Sequence, residues 1–355
     1  MKYRKVLVTG GAGFLGSSLS IALKKNWPEI EVLAFDNLKR RGSELNLTRL
    51  KGAGVVFVHG DVRSPEDLES FEGVDLIVEC SAEPSVLAGI NGSPLYVLNT
   101  NLVGALNCLE LARKNGADFF FISTSRVYPY DLLEKAKVKE EVRRFAFEER
   151  QAMVGLSDKG ISEEFPLQGV RSLYGATKLS AEFFLAEYAA NYGIGYIVNR
   201  FGCIAGPWQM GKIDQGVMAL WVAAHVFGKK LKYIGFGAEG KQVRDFIHVD
   251  DAVEVIMKQI ENLEDLNGEV FNVGGGRQNS ISLRELTDLC EKVTEKKIEI
   301  GAEAQTRPGD LKIYVSDNRK IEERLGWKVK RSLEDIVRDT KEWMECNVDI
   351  LGNIL

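Results

Sequence analysis

The chain has 355 residues, 45% of them apolar and 27% charged, with a formal net charge of -5. That balance describes a globular protein with a sizeable core in one large or two medium domains, and it gives no electrostatic support to nucleic-acid binding. No apolar run is long enough to span a bilayer, and three histidines without ligand spacing suggest no metal site.

Five scattered cysteines (Cys80, Cys108, Cys203, Cys290, Cys346) read as reduced thiols of a cytoplasmic protein. The segment Met1-Lys-Tyr-Arg-Lys5 leads straight into a strand stopped by Thr9 and Gly10. That is too short for a signal-peptide core, so no leader is expected. Strand one is expected at Val6–Val8, a helix at Phe14–Lys25, and strands at Glu31–Asp36, Val55–Val58 and Asp75–Val78. Pro94–Lys114 has a helical pattern. Phe119–Thr124 is an unbroken apolar run suited to a strand buried on both faces. The dense charges of 134–150 read as a solvated helix or surface insertion. A helix at Arg171–Tyr192 and a strand at Tyr196–Arg200 follow. After Gly206-Pro207 the alternation loosens into a second unit with a helix at Gly216–Phe227 and short strands. Val270–Val273 precedes Gly274-Gly-Gly276, and helices are expected at Leu283–Lys292, Arg319–Leu325 and Leu333–Met344. Alternating strands and helices imply an α/β fold, a Rossmann-type doubly wound parallel sheet, joined to a smaller α/β domain built mainly from C-terminal segments. The expected division is 1–200 for the dinucleotide domain, with a return within 245–275, and 201–355 for the other.

Gly10-x-x-Gly13-x-x-Gly16 follows a strand and opens a helix, the setting of a pyrophosphate-binding turn. Asp36 ends strand two about 20 residues on, where an acid accepts hydrogen bonds from the adenosine ribose. A carboxylate repels a 2′-phosphate, which favours NAD over NADP. Lys39, Arg40 and Arg41 stand close enough to hold such a phosphate, but the acid carries more weight. Asp61-Val62, ending strand three, falls where adenine would sit.

Tyr174 and Lys178 are four apart on a helix and share a face. A free tyrosine titrates near pH ~10. A cation at contact distance, with the positive nicotinamide ring, favours phenolate and so makes a base. Ile122-Ser123-Thr124-Ser125 supplies hydroxyls at a strand end, where open α/β sheets bind ligands.

These motifs, with Phe35-Asp36-Asn37, Gly60-Asp61-Val62, Pro84-Ser85-Val86, Asn101-Leu-Val-Gly104, Val127-Tyr128, Gly206-Pro207, Arg244-Asp245-Phe246, Phe271-Asn272-Val273-Gly274 and Arg307-Pro308-Gly309-Asp310, cover nearly the whole chain. It resembles the extended short-chain dehydrogenases/reductases of the nucleotide-sugar epimerase and dehydratase group. Phe35-Asp-Asn-Leu-Lys-Arg-Arg-Gly42 with Asn46-Leu47, Phe57-Val-His-Gly-Asp61, Asp214-Gln215-Gly216 and Gly240-Lys-Gln-Val-Arg244-Asp245 bring it nearest to members that epimerise a CDP-linked dideoxy sugar at carbon 2.

The resemblance implies Thr124 as catalytic hydroxyl, Tyr174 as base and Lys178 as its partner. For NAD, tightly bound and recycled, it implies Gly10, Gly13, Phe14, Leu15, Gly16, Asp36, Asn37, Arg40, Asp61, Val62, Ser81, Ala82, Asn101, Tyr174, Lys178, Phe201 and Cys203. For a nucleotide sugar, with a CDP-sugar favoured, it implies Ser85, Thr124, Arg126, Gln209, Gln215, Arg244 and Arg307. The two last arginines would fork onto the diphosphate. It also implies a homodimer or homotetramer that pairs helices such as Pro94–Lys114 and Arg171–Tyr192. Two departures stand out. Glu79 replaces the group's frequent His after strand four, and a buried acid there requires a partner that the sequence does not name. Pro129 follows Val127-Tyr128 in place of a common Gly.

The expected chemistry is transient oxidation at carbon 2 to a keto sugar, then hydride return to the opposite face. The nearest rival is 4-epimerisation of a UDP-sugar. A dehydratase would want an acid beside Thr124, where this chain has Ser125 and Arg126. From another class, a non-catalytic NAD-binding structural or sensing protein would not need Thr124, Tyr174 and Lys178 intact.

Overall fold

The computed structural model describes residues 2–90, 92–211 and 215–351. The chain forms two compact units. The first holds Met1–Val127, Leu173–Arg200 and Val253–Val270; the second holds Tyr128–Ser172, Phe201–Ala252 and Phe271–Leu355. They are of nearly equal length, whereas the sequence suggested a smaller second unit beginning at 201. The difference is 128–172, an excursion that belongs to the second unit.

The central sheet has seven parallel strands: β1 (Lys5–Thr9), β2 (Glu31–Asp36), β3 (Val56–His59), β4 (Leu76–Glu79), β5 (Asp118–Thr124), β6 (Tyr196–Phe201) and β7 (Glu269–Val273). Their order is β7-β6-β5-β4-β1-β2-β3. Val6, Leu7 and Val8 of β1, Leu76, Ile77 and Val78 of β4 and Phe119, Phe120 and Phe121 of β5 are all buried, as a sheet covered on both faces requires. The order reverses between β1 and β4, whose register pairs Thr9 with Glu79. That reversal opens a crevice at the carboxyl ends of the two strands.

Helix Phe14–Asn26 follows β1 directly. The helical run from Leu95 to Asn115 is continuous but widens into a π turn at Asn99–Val103. Helix Leu173–Tyr192 precedes β6.

In the second unit, strands Cys203–Ala205, Val243–His248 and Ser280–Ser282 form one small sheet. Helices Val217–Phe227, Leu283–Thr294 and Leu333–Cys346 pack on one another. The charged stretch 134–150 is not a solvated helix. It contains an antiparallel pair, Val138–Glu140 with Phe145–Phe147, and buries Phe145 and Phe147. The Phe145 N–H donates to the Lys241 carbonyl, and Arg144 reaches Ser280. Two apolar residues at period two outweigh the surrounding charge. Helix Val249–Glu261 was not foreseen from the sequence. Crowding explains Gly274, where a Cβ would lie 2.2 Å from Asp245 Oδ2, and a φ of +65° explains Gly276.

Candidate active site

At the crevice edge the chain turns sharply. Gly10 has φ +60°, and a Cβ there would lie 2.9 Å from the Cys80 and Ser81 backbone. Only glycine lets the loop lie on the end of β4. A Cβ on Gly16 would come within 2.2 Å of the Gly10 carbonyl, so the first helical turn presses on the loop. Gly13 begins that helix with no side-chain cap, and no acid occupies its first turn, where Phe14 and Leu15 are half-buried. Backbone N–H groups and partial positive charge are therefore kept for an anion, which suits a cofactor pyrophosphate.

Asp36 is tied to this loop. Its carboxylate accepts the Ala12 N–H at 3.1 Å and the Leu38 N–H at 2.8 Å. Burial pushes its carboxyl up, and the N–H groups of Leu38, Ala12 and Gly13 pull it back. Asn37 donates to Asp61 at 2.9 Å, and Arg63 forks onto the same carboxylate at 2.9 and 2.6 Å. The Arg63 bonds hold the Asp61 carboxyl down at about 2. These three residues, with Lys39, His59, Gly60 and Asp67, line a pocket of about 240 Å³ where adenine was expected. Arg40 is half-buried, whereas Val62 joins the hydrophobic core. Sequence reasoning missed Arg63, and also Asn46, whose amide donates to the Ala12 carbonyl at 2.9 Å.

Thr124 ends β5, and its Oγ accepts the Arg126 N–H at 3.2 Å, which leaves the hydroxyl hydrogen to donate. Ser123 is otherwise engaged: it donates to Glu182, which pairs with Arg200 at 2.7 Å. Tyr174 is half-buried in the first turn of helix Leu173–Tyr192. A Cβ on the next residue, Gly175, would lie 2.0 Å from the Arg126 carbonyl oxygen. That close approach brings the start of the tyrosine helix against the turn that follows Thr124.

Lys178, one turn on, is 2% exposed. Its ammonium bonds Glu79 Oε2 at 3.1 Å and lies 4.2 Å from the centre of the Phe121 ring. Glu79 is 1% exposed, and Ser81 donates to its other oxygen at 2.6 Å. The partner that the buried acid required is thus the lysine itself.

Asn101 is almost fully buried. Its amide bridges the Glu83 backbone, accepting at 2.7 Å and donating at 3.0 Å, and also reaches Thr177. Ser85 caps its own turn through the Leu87 N–H, and Ala82 is half-buried. Arg126, also half-buried, belongs to the first unit.

Phe201, Cys203, Gln209, Gln215, Arg244 and Arg307 belong to the second unit. Phe201 is buried and Cys203 partly so. Gln209 donates to the Ile204 carbonyl at 2.8 Å. Gln215 and Arg307 are half-buried, and Asp214 lies outside the described residues. Arg244 bonds the Val243 and Leu311 carbonyls and pairs with Asp310 at 2.7 Å. The acid of the Arg307-Pro-Gly-Asp310 motif therefore orients the other arginine assigned to the diphosphate.

Among the described residues no cluster of three or more His, Cys, Asp or Glu could hold a metal ion, and no helix is long and apolar enough to cross a membrane.

Residues 6–274 match the family model described as NAD dependent epimerase/dehydratase family. The chain is 30% identical to CDP-paratose 2-epimerase of Salmonella typhi over 96% of this chain and 98% of that one. It is similar to the crystal structure of UDP-glucose 4-epimerase with UDP-glucose from Thermotoga maritima, with 29% identity and a TM-score of 0.77 over 97% and 99% of the two chains. Against the NAD complex of Thermus thermophilus UDP-glucose 4-epimerase the identity is 26% and the TM-score 0.74, over 96% and 99%.

Proposed function

This chain belongs to the NAD dependent epimerase/dehydratase family, with NAD as its cofactor, and on that premise we propose that it inverts carbon 2 of CDP-paratose. One observation carries the epimerase reading: a hydroxyl, a phenol and an ammonium belong to the same unit that offers an uncapped helix N-terminus. The Gly175–Arg126 approach, which sets the start of the Tyr174 helix against the turn after Thr124, supports this. The CDP-sugar is favoured by the likeness to CDP-paratose 2-epimerase, which runs through nearly the full length of both chains.

In this reading Gly10, Gly13 and Gly16 leave room for the pyrophosphate at the helix N-terminus, and Asp36 accepts the ribose hydroxyls. NAD, when bound, supplies the acceptor and then the donor of the hydride. Tyr174 takes the proton of the sugar hydroxyl as the carbonyl forms, and Thr124 donates a hydrogen bond to that oxygen. Lys178 offers its remaining ammonium N–H groups to the phenol and the cofactor ribose. Once the keto sugar has turned its other face, Tyr174 returns the proton and the configuration is inverted. Ser125 and Arg126 after Thr124 put no carboxylate where water loss would need one, which disfavours a dehydratase. Arg244 and Arg307 are the residues proposed for the diphosphate.

The protein is proposed to act in the cytoplasm, in keeping with its five free cysteines, as a dimer or tetramer. Leu95, Val103, Phe183, Phe184 and Tyr192, all exposed on helical segments of the first unit, suit such pairing.

The test is to offer purified protein CDP-paratose and UDP-glucose separately and identify the product sugars. CDP-tyvelose from the first supports the reading. Inversion of UDP-glucose at C4 with CDP-paratose untouched replaces it with the 4-epimerase, which the Thermotoga maritima likeness favours.

A further inference from the structure

We infer that Glu79 is a positioning residue that sets which oxidation state of the cofactor the protein prefers. The inference rests on the reading that Tyr174 and Lys178 face the nicotinamide. Glu79 ends β4 beside Thr9, at the strand edge where the glycine loop folds over Cys80 and Ser81. Its two oxygens are both engaged, one by the Lys178 ammonium at 3.1 Å and one by Ser81 at 2.6 Å. Thr9 and Ser81 hydroxyls lie 3.0 Å apart and extend the network under the loop.

Both charges lie out of water, at 1% and 2% exposure, so the field they make is weakly screened. The oxidised nicotinamide ring carries a positive charge and the reduced ring is neutral. A solitary buried ammonium near the ring would disfavour the oxidised form. Glu79 cancels that ammonium, so the site stays receptive to NAD⁺. An enzyme that begins each turnover by accepting a hydride needs that state at rest. The carboxylate also fixes one N–H of Lys178 and leaves two for the ribose and the phenol.

The test separates charge from shape. Glu79→Gln keeps the outline and removes the charge; Glu79→Asp keeps the charge and shortens the arm. Purified protein is equilibrated with equal NAD⁺ and NADH, and the bound nucleotides are extracted and quantified. Glu79→Gln is expected to move the bound ratio toward NADH by about tenfold, the scale of one weakly screened charge. Glu79→Asp is expected to stay near wild type. Glu79→Met is a second uncharged variant should the Gln protein fold poorly, and it is expected to shift as Gln does. An unchanged ratio in the neutral variants, or an equal shift in Glu79→Asp, overturns the charge role. Failure of the underlying reading looks different: Tyr174→Phe would then keep full turnover.

Discussion

Gly175→Ala is the sharpest test of how the site is assembled. The added methyl would sit 2.0 Å from the Arg126 carbonyl oxygen and 2.8 Å from its carbon. Neither atom can rotate aside, because both are backbone. Ordinary contact needs more than about 3 Å, so the helix start and the turn must part by about 1 Å. Overpacking of this kind costs about 1–3 kcal/mol, while alanine in place of glycine in a helix returns about 1 kcal/mol. The net loss, about 0–2 kcal/mol, lowers the melting temperature of a domain this size by no more than about 8 °C. Turnover is hit harder, since a displacement of about 1 Å in a reacting group costs on the order of a hundredfold. Initial rates on the accepted nucleotide sugar, beside thermal melts of the same samples, would expose this mismatch. Wild-type kcat in a folded Gly175→Ala protein would show that the approach does not align Thr124 with Tyr174.

Tyr174→Phe should lower kcat by at least about a hundredfold while NAD affinity, measured by calorimetry, barely changes; undiminished turnover would remove Tyr174 as the base. Arg63 holds the Asp61 carboxyl at about 2 against an ordinary 3.8. A carboxyl lowered by folding adds stability above its unfolded value, and that stability fades as pH falls from 3.8 toward 2. Asp61→Asn should therefore flatten the decline in melting temperature across that interval, and a decline as steep as wild type would count against the pairing. Phe183 and Phe184 are 60% and 44% exposed. Replacing both by Asp should reduce the particle to one chain by light scattering, and a wild-type protein that already runs as one chain would refute the pairing of these helices.

Much of the first unit was legible because its signals are local. Glu31–Asp36 and the start of helix Phe14–Asn26 follow from burial pattern and glycine spacing within a few residues. The glycine loop, Asp36 and the Tyr174–Lys178 helix follow in the same way. What was hidden lies in long-range pairs. Glu79 and Lys178 are 99 positions apart, and nothing near Glu79 names its partner. Asn101 also bridges the Glu83 backbone through its amide, across 18 positions. The 134–150 stretch misled because its charges outnumber the two phenylalanines that anchor it. Helix Val249–Glu261 escaped because it follows strand Val243–His248 without a break.

The chain departs from the first unit three residues after Thr124 and rejoins it one residue before Tyr174. The intervening excursion hangs from two points that Gly175 and Arg126 clamp together. Its other anchors, such as Phe145 on the Lys241 carbonyl and Ile161 on the Val315 carbonyl, lie in the second unit, so a change inside the excursion falls there and leaves that clamp in place.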